Sequence, residues 1–321
     1  MLKKRTKPSR PASLTRSGPE CVVLYPPAKV NFYLEVLNRR PDGYHNLETI
    51  MSTIDLRDTL VVRPSPFHAE KAGGSRLPAQ TTLVTEPDMC LPPEKNLVIK
   101  AQKALEKYTS RDLPAHFRLV KKIPIGAGLG GGSSDAAAAI RALNIVYGLG
   151  LADSEMEKVA ANVGSDVAFF IHGGWALCRG RGEQVMPLRM GGRIQLVVVF
   201  PGINLPTANV YQNLKRRLTE NGKNVNWTKW LVSASCCMID GRDMLNRLEA
   251  SALSLEPALE EVKKALNRDG SAPWGTGSPV MLTGSGSAFV ILTEGKNAAR
   301  AASMACERGW KAFVTHTCVN I

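Results

Sequence analysis

A glycine-rich run at residues 124–135, PIGAGLGGGSSD, decides the fold of this chain. Glycine is favoured where the backbone takes a positive φ or approaches a ligand without a Cβ atom in the way. An alanine-rich helix is predicted directly behind the run, from about Ser134 to Tyr147, and the unpaired N–H groups at a helix N-terminus favour an anion. The run therefore predicts a phosphate-binding turn, and the alternative is a flexible Gly/Ser linker, which fits poorly between a strand and a strong helix former.

The glycine spacing argues against the common kinds of nucleotide loop. No Lys follows Gly132 as a Walker A loop requires, and the sequence lacks the HRD and DFG segments of protein kinases. Gly126–Gly131 satisfies the dinucleotide pattern GxGxxG, which is weak on its own. The preceding segment alternates polar and apolar residues, unlike the buried first strand of a parallel sheet. The run therefore indicates a phosphate site of another kind.

Hydrophobic periodicity on both sides of the run predicts strands as well as helices. Strand patterns lie at residues 21–25, 30–37, 47–62, 117–123, 175–178, 194–200, 280–283, 288–292 and 310–317. Helical patterns lie at residues 96–108, 134–147, 153–162, 243–253, 256–267 and 297–308. Residues 64–80 and 219–238 are predicted to be surface insertions. This mixture predicts an α+β fold with an N-terminal domain at 21–190 and a C-terminal domain at 191–321.

Residues 1–20 supply +5 of the net charge of +13, and the remaining +8 is spread along the body of the chain. Residues 1–20 hold six basic side chains, a single acidic one and no periodic apolar pattern. We therefore predict a disordered basic tail, with an organelle-targeting segment as the alternative. Positive charge suits anionic partners, but it does not distinguish phosphorylated metabolites from nucleic acid.

Cysteine usage and hydropathy narrow the setting of the protein. The seven cysteines form no CxxC pair and no zinc-like Cys/His spacing, which indicates a reduced, cytoplasmic protein. The longest apolar run, at 196–200, is far shorter than the roughly 20 residues that a membrane-spanning helix needs. We therefore expect no membrane partner.

The glycine-rich run resembles the phosphate loop of the GHMP kinases, and further segments resemble this family in the same order along the chain. They are PAKVNF at 27–32, RPDGYH at 40–45, GSDVAFF at 164–170, GRGE at 180–183, PG at 201–202, PT at 206–207 and LTGSGS at 282–287. The combination of AKVN with DGYH is similar to the members that phosphorylate the 2-hydroxyl of the CDP-linked substrate 4-diphosphocytidyl-2-C-methyl-D-erythritol, in the non-mevalonate route to isoprenoids. The resemblance implies a two-domain kinase with its active site in the cleft between the domains.

The resemblance also implies two catalytic residues. Asp166 matches the general base of the family, which takes the proton of the attacking hydroxyl; taken alone, it is typical of a helix N-cap. Lys29 matches a lysine beside this base that offsets charge on the moving phosphoryl group, whereas a lone lysine is ordinarily a surface residue. Phosphoryl transfer depends mainly on positioning and charge stabilisation, so these two groups, Mg²⁺ and a phosphate cradle are sufficient parts.

Binding roles follow from the same resemblance. ATP is assigned to the glycine run, the third family motif and an adenine pocket, comprising Pro124, Gly126, Gly128, Leu129, Gly130, Gly131, Gly132, Ser133, Ser134, Gly284, Ser285, Gly286 and Asn96. The cytosine is assigned to Tyr44, His45 and Tyr211, and further substrate contacts are assigned to Asn31 and Thr207. The implied cofactors are ATP and Mg²⁺, with the Ser134 hydroxyl as a candidate aid to the metal. Without the family, a core-capping Tyr44, a solvated His45 and a tight turn at 284–286 are the simpler interpretations.

Two other functions stay open at the level of the sequence. Another GHMP kinase, such as a homoserine or mevalonate-type enzyme, would share the phosphate machinery without needing the CDP moiety. A nucleic-acid-binding protein is suggested by the net charge, but it does not explain why a phosphate loop, an Asp-bearing motif and a Gly/Ser turn occur in kinase order. The sequence also leaves open whether the protein is a monomer or a homodimer.

Overall fold

The computed structural model describes residues 19–65, 68–70, 76–78, 80–190, 192–214, 244–267, 280–293 and 295–318. The predicted basic tail lies outside these residues except for its last two positions. The predicted insertion at 219–238 lies outside them entirely, and the one at 64–80 lies partly outside them.

Strands and helices of the described residues follow one another as the α+β prediction requires. The strands are β1 (Val22–Leu24), β2 (Pro27–Arg39), β3 (His45–Arg57), β4 (Thr59–Pro64), β5 (His68–Glu70), β6 (Arg76–Pro78), β7 (Thr82–Glu86), β8 (Ala115–Val120), β9 (Trp175–Gly180), β10 (Gln184–Leu188), β11 (Gln195–Phe200), β12 (Leu245–Asn246), β13 (Val280–Leu282), β14 (Phe289–Leu292) and β15 (Lys311–His316). The helices are α1 (Leu97–Thr109), α2 (Gly131–Val146), α3 (Asp153–Val163), α4 (Val167–His172), α5 (Thr207–Gln212), α6 (Glu249–Leu255), α7 (Pro257–Asn267) and α8 (Gly295–Glu307), with a short 3₁₀ helix at Pro93–Lys95.

These strands form three sheets of four or five strands and one sheet of two strands. One sheet has the order β1-β4-β8-β7, a second has the order β10-β9-β3-β2-β12, and a third has the order β13-β14-β11-β15. The two-stranded sheet consists of β5 and β6, which pair antiparallel. The long strands β2 and β3 pair antiparallel in the middle of the second sheet, and β2 carries the predicted catalytic lysine.

The alanine-rich helix α2 packs closely because its side chains are small. Ala136, Ala137, Ala139 and Ala142 are all buried in the core that α2 shares with α1 and β4. Close-packed interiors exclude voids, so the helix axis is held firmly by its neighbours. The N-terminus of α2, which follows the glycine run, is therefore fixed in space.

Three sequence predictions are corrected by these elements. The strand expected at 47–62 is two strands, β3 and β4, separated at Asp58, whose carboxylate Oδ1 accepts hydrogen bonds from the backbone N–H groups of Lys122 and Ile123. Helix α2 begins at Gly131 rather than Ser134, so the glycines form its first turn. Of the helix expected at 243–253, residue 243 lies outside the described part, 245–246 form β12, and the helix begins at Glu249.

Strand β12 joins the two halves of the chain. It follows the third sheet's strand β11 in sequence, yet it pairs parallel with β2 of the second sheet, Leu245 with Tyr33 and Asn246 with Leu34. The predicted domain boundary at residue 190 stays a prediction. Strand β12, which follows that boundary, belongs to a sheet whose other strands all precede it in the sequence. No helix in the described ranges combines the length and the apolar composition that crossing a membrane requires.

Candidate active site

The glycine run has the backbone shape of an anion site. It leaves β8 and enters α2 through three glycines in the left-handed region, with φ of +70° at Gly126, +75° at Gly128 and +68° at Gly130. Gly130 is the N-cap of α2. Backbone N–H groups that converge in such turns, together with the N-terminus of a helix of 16 residues, make a concavity that favours phosphate.

Two of these glycines also lie where a side chain would collide with neighbours. A Cβ atom at Gly128 would lie 2.4 Å from the backbone oxygen of Thr283. A Cβ atom at Gly130 would lie 2.9 Å from Cζ of Phe170 and 3.0 Å from Cγ of Lys29. The absence of side chains therefore lets the run pack against the predicted catalytic lysine and against the third family motif.

A cavity of about 400 Å³ opens over the run. It brings together sixteen of the predicted site residues: Lys29, Asn31, Asn96, Pro124, Gly126, Gly128, Leu129, Gly130, Gly131, Gly132, Ser133, Asp166, Thr207, Tyr211, Gly284 and Ser285. Two of the predicted ATP residues, Ser134 and Gly286, do not line it. Asn96 has a structural role in addition, because its Oδ1 accepts a hydrogen bond from the N–H of Val98 at 2.9 Å and caps α1.

The predicted catalytic lysine is a buried residue, not a surface one. Lys29 is 4% exposed, and its Nζ donates to Oδ1 of Asn31 at 2.6 Å. The same Nζ lies 3.9 Å from Oδ2 of Asp166. Burial lowers the pKa of Lys29 below its usual value, and the Asp166 carboxylate opposes this shift. The surface interpretation of Lys29 is therefore wrong.

Asp166 occupies the N-cap position of α4, but its side chain makes no capping hydrogen bond. Its carboxylate is 36% exposed and faces the cavity instead. The N-cap interpretation thus accounts for the position of Asp166 in the chain and not for the direction of its side chain. Lys29 and Asp166, which come from β2 and α4, form an ion pair at the edge of the phosphate loop.

The turn of the third motif also lines the cavity, through Gly284 and Ser285. The N–H of Asn31 donates to Oγ1 of Thr283 at 3.0 Å, and Asn31 Nδ2 donates to Oγ1 of Thr49 at 2.8 Å. The hydroxyls of Thr207 and Ser285 lie 2.8 Å apart. Three predicted site residues from distant parts of the chain are therefore connected around one turn.

A second cavity, of about 770 Å³, adjoins the first and is lined by the predicted cytosine residues. The rings of His45 and Tyr211 stack in it, with centroids 5.5 Å apart and an angle of 22° between their planes. Tyr44 lies at its rim, 54% exposed. Burial lowers the pKa of His45, and Arg39 lowers it further, so the imidazole is neutral at pH 7. Asp166, Thr207 and Tyr211 line both cavities.

Behind the glycine run lies a buried charge cluster that the sequence analysis missed, formed by Asp58, Lys121 and Asp135. Lys121 Nζ donates to Oδ2 of Asp135 at 2.7 Å and also pairs with Asp58. Burial raises the pKa of Asp135 to about 7, Lys121 opposes this shift and Asp58 adds to it. Lys121 and Asp135 both line the first cavity. Lys121 and Asp58 are 63 positions apart in the sequence, so no local pattern predicts their contact.

Arg181 was also missed. Its guanidinium lies over the ring of Tyr44, 5.0 Å from the centroid, and its side chain lines the second cavity. The backbone N–H of Arg181 donates to Oε2 of Glu183 at 2.6 Å. The signal was present in the GRGE segment, whose basic residue could have been assigned to an anionic substrate.

The comparisons with known proteins agree with this arrangement. The model of the GHMP kinases N terminal domain matches residues 96–174. The chain is 36% identical over 296 residues to the 4-diphosphocytidyl-2-C-methyl-D-erythritol kinase of Geobacter sp. (strain M21), covering 92% of this chain and 98% of the relative. It is 34% identical over 290 residues to the enzyme of the same name from Thermodesulfovibrio yellowstonii, covering 88% and 93%.

A crystal structure of a 4-(cytidine 5'-diphospho)-2C-methyl-D-erythritol kinase matches the fold with a TM-score of 0.72 and 32% sequence identity, covering 92% of this chain and 99% of that one. The identity to these relatives is above 30% over nearly the full length of both chains, and the glycine-rich run with its cavity is consistent with the same family. The chain belongs to the GHMP kinase family and is an ATP-dependent small-molecule kinase.

Proposed function

We propose that the chain transfers the γ-phosphoryl group of ATP to the 2-hydroxyl of 4-diphosphocytidyl-2-C-methyl-D-erythritol. The observation that carries this proposal is the position of Asp166, which lines the phosphate-loop cavity and the aromatic cavity alike. A base at the junction can meet the acceptor hydroxyl on one side and the donor phosphate on the other. The relatives described above are named for the same substrate.

The first cavity is the proposed ATP site. The backbone of Gly128–Ser133 would hold the phosphates at the N-terminus of α2, and Gly284 and Ser285, which line the same cavity, would also contact them. Asn96, which lines the same cavity, is proposed to lie near the adenine. These assignments rest on the lining residues and on the positive φ of the loop glycines.

The second cavity is the proposed site of the CDP moiety. Aromatic rings at Tyr44 and Tyr211 provide faces on which a cytosine can stack. A neutral His45 imidazole has one donor nitrogen and one acceptor nitrogen, which suits the edge of a base. Thr207 lines both cavities and Asn31 lines the first, and both residues are proposed to contact the substrate near the reacting hydroxyl.

The transfer itself would be a displacement at phosphorus. The 2-hydroxyl oxygen attacks the γ-phosphorus, the bond from that phosphorus to the bridging oxygen of ADP breaks, and the hydroxyl proton passes to the Asp166 carboxylate. The Lys29 ammonium, held by Asn31 within 3.9 Å of Asp166, offsets negative charge on the transferred group. Because the lysine is buried, its charge is screened little by solvent.

One hydroxyl next to the lining residue Ser133 is a candidate ligand for a magnesium ion delivered with ATP, although Ser134 itself does not line the cavity. The Ser134 hydroxyl is 1% exposed and its Oγ has no hydrogen-bond partner within the described ranges, which leaves an oxygen donor free beside the loop. No cluster of three or more His, Cys, Asp or Glu side chains that could hold a metal was found in the same residues. We propose Ser134 as a ligand, with phosphate oxygens supplying others. Bound Mg²⁺ would neutralise charge on the phosphates.

A coupled assay of ADP release tests the proposal directly. The purified chain is supplied with ATP and Mg²⁺ and with the CDP-linked substrate, homoserine or mevalonate in parallel. We expect turnover with the CDP-linked substrate alone, because the second cavity and its aromatic residues have no role for the two smaller acceptors. Turnover with homoserine or mevalonate, without turnover of the CDP-linked substrate, would assign the chain to another member of the family.

A further inference from the structure

The turn at 283–286 lies at the centre of the site. Hydrogen bonds from a residue outside the family motifs hold it in place. A Cβ atom at Gly284 would lie 2.9 Å from the oxygen of Gly128 and 3.1 Å from Nζ of Lys29. The turn therefore touches the phosphate loop and the catalytic lysine together. Strand β13, which leads into the turn, is an edge strand of the third sheet, so one row of its backbone groups needs partners from elsewhere.

Asn246, on the two-residue strand β12, supplies a partner for β13 and one for the turn, while Glu249 Oε2 accepts a hydrogen bond from the N–H of Leu282 at 2.7 Å. The Nδ2 of Asn246 donates to the carbonyl oxygen of Leu282 at 2.7 Å and to that of Gly284 at 2.8 Å. Its Oδ1 accepts from the N–H of Leu248 at 3.0 Å. Asn246 is 8% exposed, so both of its amide hydrogens and its oxygen are committed to these contacts away from water.

Strand β12 is also held against β2, the strand that carries Lys29. Asn246 pairs with Leu34 of β2, and the N–H of Arg247 donates to the oxygen of Leu34 at 2.9 Å. The Arg247 guanidinium holds both carboxylate oxygens of the buried Glu35, at 2.7 and 2.6 Å. The connections thus form a closed path from Lys29 along β2 to Asn246, across to Gly284, and back to Lys29.

We propose that Asn246 is a positioning residue for phosphoryl transfer, which sets the place of the Gly284–Ser285 turn relative to Lys29 and the phosphate loop. It touches no part of either cavity. The inference rests on the proposed contact of this turn with the ATP phosphates. Removing the side-chain amide frees the two carbonyl groups and lets the turn shift, and misplacement by about 1 Å can lower a rate by about 10²-fold.

The test compares Asn246→Ala with Asn144→Ala. Asn144 makes the same kinds of contact at the far end of α2, donating to the oxygen of Leu151 and accepting from its N–H, both at 3.0 Å, and it lines neither cavity. Both variants should lower the melting temperature. Only Asn246→Ala should lower kcat for the CDP-linked substrate, by about 10- to 100-fold, while its KM for that substrate stays within about threefold.

Asn246→Asp is a second variant, which keeps the acceptor for Leu248 N–H and replaces the two amide hydrogens by at most one carboxyl hydrogen; Asn144→Asp is its control. ATP affinity, measured by calorimetry without acceptor, should weaken about three- to tenfold in the Asn246 variants alone. The ATP-affinity measurement does not depend on which acceptor the enzyme uses. If the wild type does not turn over the CDP-linked substrate, the proposed function is overturned, and the ATP affinities of the variants still test the positioning role of Asn246. Folded Asn246 variants with kcat and ATP affinity within about twofold of their Asn144 controls would overturn the positioning role.

Discussion

The Lys29 ammonium and the Asp166 carboxylate lie 3.9 Å apart in different surroundings, since 5% of the lysine side chain and 36% of the aspartate side chain are exposed. The distance is too long for a hydrogen bond, so the two charges attract without occupying each other's donor and acceptor sites. The carboxylate therefore remains available to the acceptor hydroxyl, which we propose enters from the second cavity. The buried ammonium, in contrast, can act only on groups inside the site.

Replacing Asp166 by Asn should separate catalysis from folding. The amide has the same size but cannot take up the proton of the acceptor hydroxyl, so we expect kcat to fall by roughly 10²–10⁴-fold. The KM for ATP should change little, because the proposed role of the carboxylate is to accept the proton of the acceptor hydroxyl and not to hold the phosphates. Steady-state kinetics would measure both, and Asp153→Asn, at an exposed aspartate in the first turn of α3, is the control. Near-normal turnover by folded Asp166→Asn would remove this residue from the mechanism.

Activity should fall at alkaline pH because Lys29 must be charged to act. Burial lowers the pKa of Lys29, so the neutral amine forms at a lower pH than in an exposed lysine. In a profile of kcat against pH, the alkaline limb should therefore begin below the ordinary lysine pKa of about 10.4. Lys29→Arg keeps the charge at every accessible pH, because guanidinium does not deprotonate in proteins.

The arginine variant is the informative comparison, whatever its absolute rate. The bulkier side chain should lower kcat through altered geometry, and its alkaline limb should disappear or move upward. An alkaline limb that stays at the same pH in Lys29→Arg would show that another group titrates there.

Tyr211→Ala should weaken the CDP-linked substrate selectively. The ring stacks on His45 in the second cavity, and loss of one aromatic platform is worth about 1–3 kcal/mol. We expect the KM for that substrate to rise correspondingly and the KM for ATP to change little. Tyr211→Phe keeps the ring and is the matched control. Because Tyr211 also lines the first cavity, a larger effect on ATP than on the CDP-linked substrate would mean that the two cavities have been assigned in the wrong order.

Local signals in the sequence predicted the glycine-rich turn and the helix behind it, whereas contacts between distant segments could not be predicted from such signals. The glycine run and α2 were predictable because glycines, the helix start and the alanine face lie within one continuous stretch. Lys29, Asp166 and Tyr211 were predicted from the family motifs, because three separate elements of the fold bring them close together. The break at Asp58 was missed because the apolar alternation continues through it, while its cause is a set of donors 63 to 65 positions away.

The same limit explains Asn246. Its contact with Gly284 spans 38 positions and begins from a strand of two residues, which has no periodicity to detect. Helix-like spacing after position 243 made a helix the natural prediction for that segment. Only the pairing of β12 with β2, a tertiary contact, sets its extended conformation.

Asp135 should make stability depend on pH in a direction opposite to that of an ordinary paired carboxylate. Burial raises its folded-state pKa to about 7, above the unfolded value of about 3.9. Between these values the folded state binds more protons than the unfolded state. The contribution of Asp135 to the free energy of unfolding is therefore fully present below about pH 4 and is lost as the pH rises through about 7.

Asp135→Asn removes this titration while it keeps an oxygen acceptor for the Lys121 ammonium, which donates to Oδ2 at 2.7 Å. Urea unfolding at several pH values between 5 and 8 would measure the free energy of unfolding of the wild type and the variant. The variant should gain stability relative to the wild type as pH rises, because only the wild type must bury an increasingly charged carboxylate beside Asp58. Asp112→Asn, at an exposed position, should follow the wild type across the range. Parallel curves for wild type and Asp135→Asn would mean that Lys121 keeps Asp135 ionised throughout, so that burial is outweighed by the ion pair.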